Sequence, residues 1–306
     1  MSTSEMSTSE TSTGQMSTGR VSTGGLTMGA GPAQRRGLPG RFLLSEFGLV
    51  LRRRRNIVLL AVLALAPLGL GIAVRVSTPT GGDGPTFLSQ VTQNGLFLVF
   101  TALTVTLPLF LPLAVAVASG DAVAGEAGSG TLRSLLVVPV SRTRLLAVKF
   151  AGILAYAVVC VLTVAVVGLI VGLLLFPHGD VTLLSGSAIG YGPALGRAAL
   201  VAVYVMISLA GVGAIGLFVS TLTEVPTAAI ATVTVLTIVS EILDAIPQVA
   251  VIHPYLFTHP WLAFGDLLRD PVLTANLVQG VLTQLAYVVI FCAAAWARLT
   301  TRDVTS

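Results

Sequence analysis

Six apolar runs, at about 56–75, 95–118, 148–175, 196–219, 226–246 and 278–297, set the pattern of this chain. Each lies near the ~20 residues that ~30 Å of hydrocarbon asks of a helix. The pattern predicts an all-α polytopic membrane protein, with six transmembrane helices filling residues 56–297. Ahead of them, residues 1–39 form a Ser/Thr/Gly-rich tail whose first part repeats a five-residue unit (MSTSE, MSTSE, TSTGQ, MSTGR, VSTGG). Nothing there can bury a core, so the tail is expected to be disordered. Residues 40–55, GRFLLSEFGLVLRRRR, set Leu43, Phe47, Val50 and Leu51 against Arg41, Ser45, Gly48 and Arg52. That pattern suits an amphipathic helix lying at the membrane interface. Residues 298–306 are a short polar tail.

Between the second and third runs the apolar pattern breaks. Asp121, Glu126, Arg133, Arg142, Arg144 and Lys149 all fall there. An unpaired charge in hydrocarbon costs roughly 3 kcal/mol or more, so residues 119–147 are expected outside the bilayer. Leu132, Leu135 and Leu136 recur at helical spacing, with Arg133 and Ser134 on the wet side. Pro139 stops that short helix, and Ser141 is placed to cap the next. An amphipathic helix held between two spans is suited to being gripped by a partner outside the membrane.

Composition sharpens the class. Hydrophobic residues make up 54 % of the chain, charged residues 10 %, and the mean hydropathy is +0.93. A soluble domain carries about 25 % charged residues, so a soluble fold is excluded. The net charge of +4 is topological rather than a sign of nucleic-acid binding. Of the 17 Lys and Arg, eight precede the first span, four lie in the central loop and two follow the last span. Arg75, Arg197 and Arg269 are the remaining three. The positive-inside bias predicts a plasma-membrane protein with both termini and the central loop in the cytoplasm. The block Arg52–Arg55 reads as an anchor on anionic lipid. Cys160 and Cys292 fall within apolar runs and read as small packed hydrophobes, with a disulfide left open.

Few positions offer chemistry. Gly168 and Gly172 have GxxxG spacing, and Gly211, Gly213 and Gly216 thin the fourth span. Either packing within the chain or a dimer seam would use them. Pro108 and Pro112 imply a kink or local unwinding in the second span, hence a hinge. Glu241 and Asp244, three apart, share a face near the end of the fifth span. They mark either a helix end reaching water or the polar lining of an outward cavity. His253 and His259, in HPYLFTHP, match no recognised ligand spacing, and His178 lies in another loop, so no metal site is expected. Lys149 is the only lysine and follows Val148, which excludes a Walker A motif, and there is no HExxH. No catalytic residue or cofactor is expected in this chain.

The central segment, Glu126-Ala-Gly-Ser-Gly130-Thr131-Leu132, then Leu135-Leu136, Pro139-Val-Ser-Arg142 and Lys149, resembles the motif of ABC-2-type transporter permeases. GLFVSTLTEVPTAA, between the fourth and fifth spans, resembles that family's Ser-x-Leu turn. Phe257-Thr-His-Pro-Trp-Leu, Leu267-Leu-Arg-Asp-Pro and Thr301-Arg-Asp-Val are similar to its last outer loop and its ending. Glu224 departs from it, standing where a basic residue is common. The resemblance implies the ABC-2, type V exporter-like fold, with a coupling helix at Thr131–Val138 between the second and third spans. It further implies a homodimer, or a pair with a related permease, that exports hydrophobic or amphiphilic cargo. A separate cytoplasmic ATP-binding subunit would hold ATP and Mg2+. Glu126, Gly130, Thr131, Leu132, Leu135, Leu136, Pro139 and Arg142 are then the coupling residues. An ion-coupled secondary transporter or a membrane-embedded lipid-processing protein is the alternative. The first would show paired, interrupted spans with ionisable midplane residues. The second would show His, Asp or Glu clustered at one face.

Overall fold

A computed structural model of the chain describes Gly48 and residues 53–77, 86–128 and 142–301, within a unit spanning 38–306. At 86–89, 126–128 and 142 the description is of the backbone. The tail at 1–39, most of the interfacial helix at 40–55, and residues 302–306 lie outside the described residues.

The elements are α1 (Arg54–Ser77), α2 (Thr86–Gln93), α3 (Phe97–Thr106), α4 (Phe110–Gly128), α5 (Arg142–Leu175), α6 (Tyr191–Leu222), α7 (Pro226–Asp244) and α8 (Thr274–Thr301). Five of these (α1, α5, α6, α7 and α8) are long and apolar enough to cross a membrane. Helices α3 and α4, bent by 55°, pass the same test as a pair and bring the candidates to six when the pair is taken as one span. The protein is a helical, polytopic membrane protein, and its spans coincide with the six apolar runs. The kink expected from the prolines is present: Pro108 sits in the break, and Pro112 is tolerated in the first turn of α4. A small antiparallel ladder, β1 (Val181–Thr182) with β2 (Ala188–Ile189), lies in the loop before α6.

The charged segment differs from expectation at both edges. Helix α4 runs on to Gly128, past the expected span limit near 118, and α5 is helical from Arg142, ahead of 148. Residues 119–128 and 142–147 of the predicted loop are therefore helical, and 129–141 lie outside the described residues. Polarity forces a chain out of hydrocarbon without forcing it out of a helix. The small residues of SGDAVAGEAG let α4 continue against its neighbours.

α6 is the central span. Its most apolar window is 67 % buried, against 22 % for α1 and 11 % for α8. Val201, Val205, Leu209, Val212 and Leu217 of α6 are fully buried. Conversely, Ile57, Leu65 and Ile72 of α1, Val235 and Val239 of α7, and Leu282 and Val289 of α8 are exposed. Such continuous apolar faces fit a lipid surround.

Glycines set the closest approaches. A Cβ at Gly172 of α5 would strike the backbone of Gly95, just before α3, and a Cβ at Gly168 would meet the Val99 backbone at 3.3 Å. The GxxxG pair of α5 thus packs within the chain, against α3. Gly213 likewise faces Ile153, and Gly216 faces Ser119. Gly152, also on α5, faces open space. Gly172→Val is expected to lower stability in detergent by about 1–3 kcal/mol, the usual range for overpacking. Gly152→Val should leave the thermal unfolding midpoint nearly unchanged. Equal midpoints for the two variants would contradict this packing.

Candidate functional site

Because the helices alternate in direction, they gather charge at two ends. Arg53, Arg54, Arg55, Arg144, Lys149 and Arg298 lie toward the end where α1 begins, with Asp121 and Glu224. Toward the opposite end lie Arg75, Arg197 and Arg269, with Asp180, Glu241, Asp244, Asp266 and Asp270. The first end is basic and the second acidic.

At the basic end, Asp121 projects from α4 and is 9 % exposed. Arg53 Nη1 donates to its Oδ2 at 2.5 Å, and Arg55 Nη2 donates to the same oxygen. Two arginines of the block read as a lipid anchor are thus committed to the protein itself, while Arg54 is exposed. One turn away, Ser220 of α6 reaches the α4 backbone. Its hydroxyl donates to Gly120 O at 2.8 Å and accepts from the amides of Val123 (3.0 Å) and Ala124 (2.9 Å). These hydrogen bonds tie α6 to α4. Gly216 allows α6 this close, since a Cβ there would meet Ser119 of α4, and Gly120 likewise lets Ile230 of α7 approach. Tyr156 of α5 donates to Asn56 O of α1 at 3.2 Å, and Trp296 of α8 donates to Thr143 Oγ1 of α5 at 3.1 Å. The helices leading into and out of the 129–141 connection are thus tied to α1, α6 and α8.

Of the coupling residues expected from the sequence, Glu126 falls on the last turn of α4 and Arg142 opens α5, each described by its backbone. Gly130, Thr131, Leu132, Leu135, Leu136 and Pro139 lie outside the described residues. The Arg53–Asp121–Arg55 group and the Ser220 hydrogen bonds were missed from sequence. A lone aspartate ten residues past a proline-rich helix break, with arginines across the bundle, was the available signal.

At the acidic end, the segment after α7 runs as three 3-10 turns, Pro247–Val249, His253–Tyr255 and His259–Leu268. It packs into the bundle, with Trp261, Phe264 and Leu268 buried. Tyr204 of α6 donates to Pro260 O at 2.7 Å, and Gln284 of α8 donates to Phe257 O at 2.6 Å. Ser240 of α7 pairs with Thr258 at 2.7 Å. Irregular backbone at membrane depth survives when its groups are satisfied by protein in this way. Glu241 and Asp244 occupy the last turn of α7, and Asp244 Oδ1 lies 2.6 Å from His259 Nδ1 and 3.9 Å from His253 Nδ1. The structure thus joins three residues that the sequence separates.

Residues 85–305 match the family described as "Protein of unknown function (DUF2705)", over more than half of the chain. The chain belongs to that family. No curated protein matches it. The matched region runs from α2 through the last crossing and takes in Asp121, Ser220 and the acidic-end loop.

Two outcomes test the basic end. In a double-mutant cycle of Arg53→Ala and Asp121→Ala, the pair should couple by about 1 kcal/mol, between values typical of exposed and buried pairs. A coupling energy of zero would mean that Asp121 is served by other groups. Ser220→Ala removes the side-chain hydrogen bonds that join α6 to a still-helical α4, so stability should fall by about 1 kcal/mol. Chemical denaturation in detergent measures both.

Proposed function

We propose that the chain is the membrane-spanning permease subunit of an ATP-driven exporter of the ABC-2 type. The observation that carries this reading is the Glu126–Lys149 motif, lying between the second and third of six crossings. The charge asymmetry supports a cytoplasmic basic end: six of the basic residues named above lie there against three at the other. That orientation puts the 129–141 connection, with the proposed coupling helix Thr131–Val138, where a cytoplasmic ATPase can reach it. ATP and Mg2+ bind to that partner, and this chain performs no bond chemistry.

The mechanism follows from the ties at the basic end. Closure of the ATPase dimer pushes the connection as a rigid lever. Helix α4 cannot move alone, because Ser220 fixes it to α6 and Asp121 fixes it to α1. The bend between Thr106 and Phe110 lets the cytoplasmic half of the crossing tilt relative to α3. Displacement therefore reaches the central span, and two such subunits rock between inward- and outward-facing packings. The largely uncharged spans favour hydrophobic or amphiphilic cargo.

Leu135→Asp places a charge on the proposed docking face and should abolish ATP-driven export in reconstituted vesicles at unchanged expression. A Walker-containing ATPase should co-purify with the unaltered chain in mild detergent, and recover poorly with the variant. Export by the variant at the parent rate, or no ATPase with the parent, would sink the reading.

A further inference from the structure

We propose that Asp244, His253 and His259 form a binding site for a divalent transition-metal ion of the Zn2+ class, stapling the end of α7 to the 3-10 loop. The ligand atoms of the three residues all lie within 4.8 Å of one another. A tetrahedral Zn2+ with bonds of about 2.0–2.1 Å sets its ligands about 3.3 Å apart, so shifts of an ångström or less suffice to close the site. The inference is independent of what drives the permease.

The supporting shell points the same way. His253 Nε2 lies 3.1 Å from Ile246 O. A carbonyl only accepts, so Nε2 is the nitrogen that donates there, which leaves Nδ1, on the Asp244 side, as the ring atom to offer a metal ion. A backbone carbonyl behind the distal nitrogen is the usual way a ligating histidine is oriented. The two rings lie 5.7 Å apart and tilted by 39°, both presenting Nδ1 to the one carboxylate. Rigid elements hold each ligand. Asp244 is the last residue of α7, and each histidine opens a 3-10 turn followed by proline. Thr258, next to His259, is bound to Ser240 one turn before Asp244. A cleft of about 240 Å3, lined by His259 and by Asn276, Gln279 and Thr283 of α8, adjoins the site.

Ligand chemistry selects the ion. Two imidazoles and one carboxylate suit Zn2+ and its neighbours, whereas Ca2+ and Mg2+ prefer oxygen ligands alone. Three protein ligands leave one position for water. The site would join α7 to a loop already anchored on α6 and α8 by Tyr204 and Gln284.

The test uses the full chain, purified without a histidine tag, in detergent or nanodiscs. Titration with Zn2+ against a fluorescent chelator should give one ion per chain. His253→Gln and His259→Gln should each weaken binding by at least about tenfold. His178→Gln, in a different loop, should not change it. A second measurement needs no variant: Zn2+ should protect His253 and His259 from acylation by diethyl pyrocarbonate, mapped by mass spectrometry, and leave His178 reactive. Absence of binding at micromolar Zn2+, equal affinity in all three variants, or equal reactivity of the three histidines would overturn the proposal.

Discussion

Hydrocarbon offers a backbone amide or carbonyl no partner, so every departure from the helix must be satisfied by the protein itself. The distinctive features of this fold are places where that requirement is met by a side chain. Ser220 bonds to the α4 backbone at Gly120, Val123 and Ala124. Gln284 and Tyr204 take the carbonyls of the 3-10 loop. Asn94 accepts from Leu96 N and donates to the carbonyls of Gly179 and Asp180, closing the gap between α2 and α3. Each side chain comes from a different element than most of the backbone it serves, so each is also a tertiary tie.

Those ties divide the bundle into two kinds of contact. Along the middle, α6 is held by small residues and aliphatic packing, with Gly213 against Ile153. Packing of that kind tolerates small tilts and rotations. At the ends, hydrogen bonds and ion pairs fix particular residues to one another: Arg53 with Asp121 at one end, Ser240 with Thr258 at the other. The 55° bend between α3 and α4 falls between these two kinds of contact.

The two ends also differ in chemistry. At the basic end Asp121 bridges two arginines. The acidic end combines carboxylates with His253 and His259 on a loop folded back into the bundle.

By itself the sequence determined the membrane class, the six crossings and the kink at Pro108. Hydropathy runs and proline chemistry are local properties, and a bilayer enforces them without help from distant residues. It also marked the charged segment after the second apolar run, while the helices on either side extend beyond the apolar runs, to Gly128 and from Arg142. Charge says where a chain meets water, and only neighbouring helices decide whether it stays helical there. The glycine spacing on α5 favoured packing within the chain, though a dimer seam would have looked the same, and Gly95 stands opposite Gly172. The partners of Asp121 and Ser220, the inward packing of Trp261, and the meeting of Asp244 with His253 and His259 were decided by tertiary structure alone. Each joins residues whose spacing along the chain carries no period, so the contact exists only once the helices have packed.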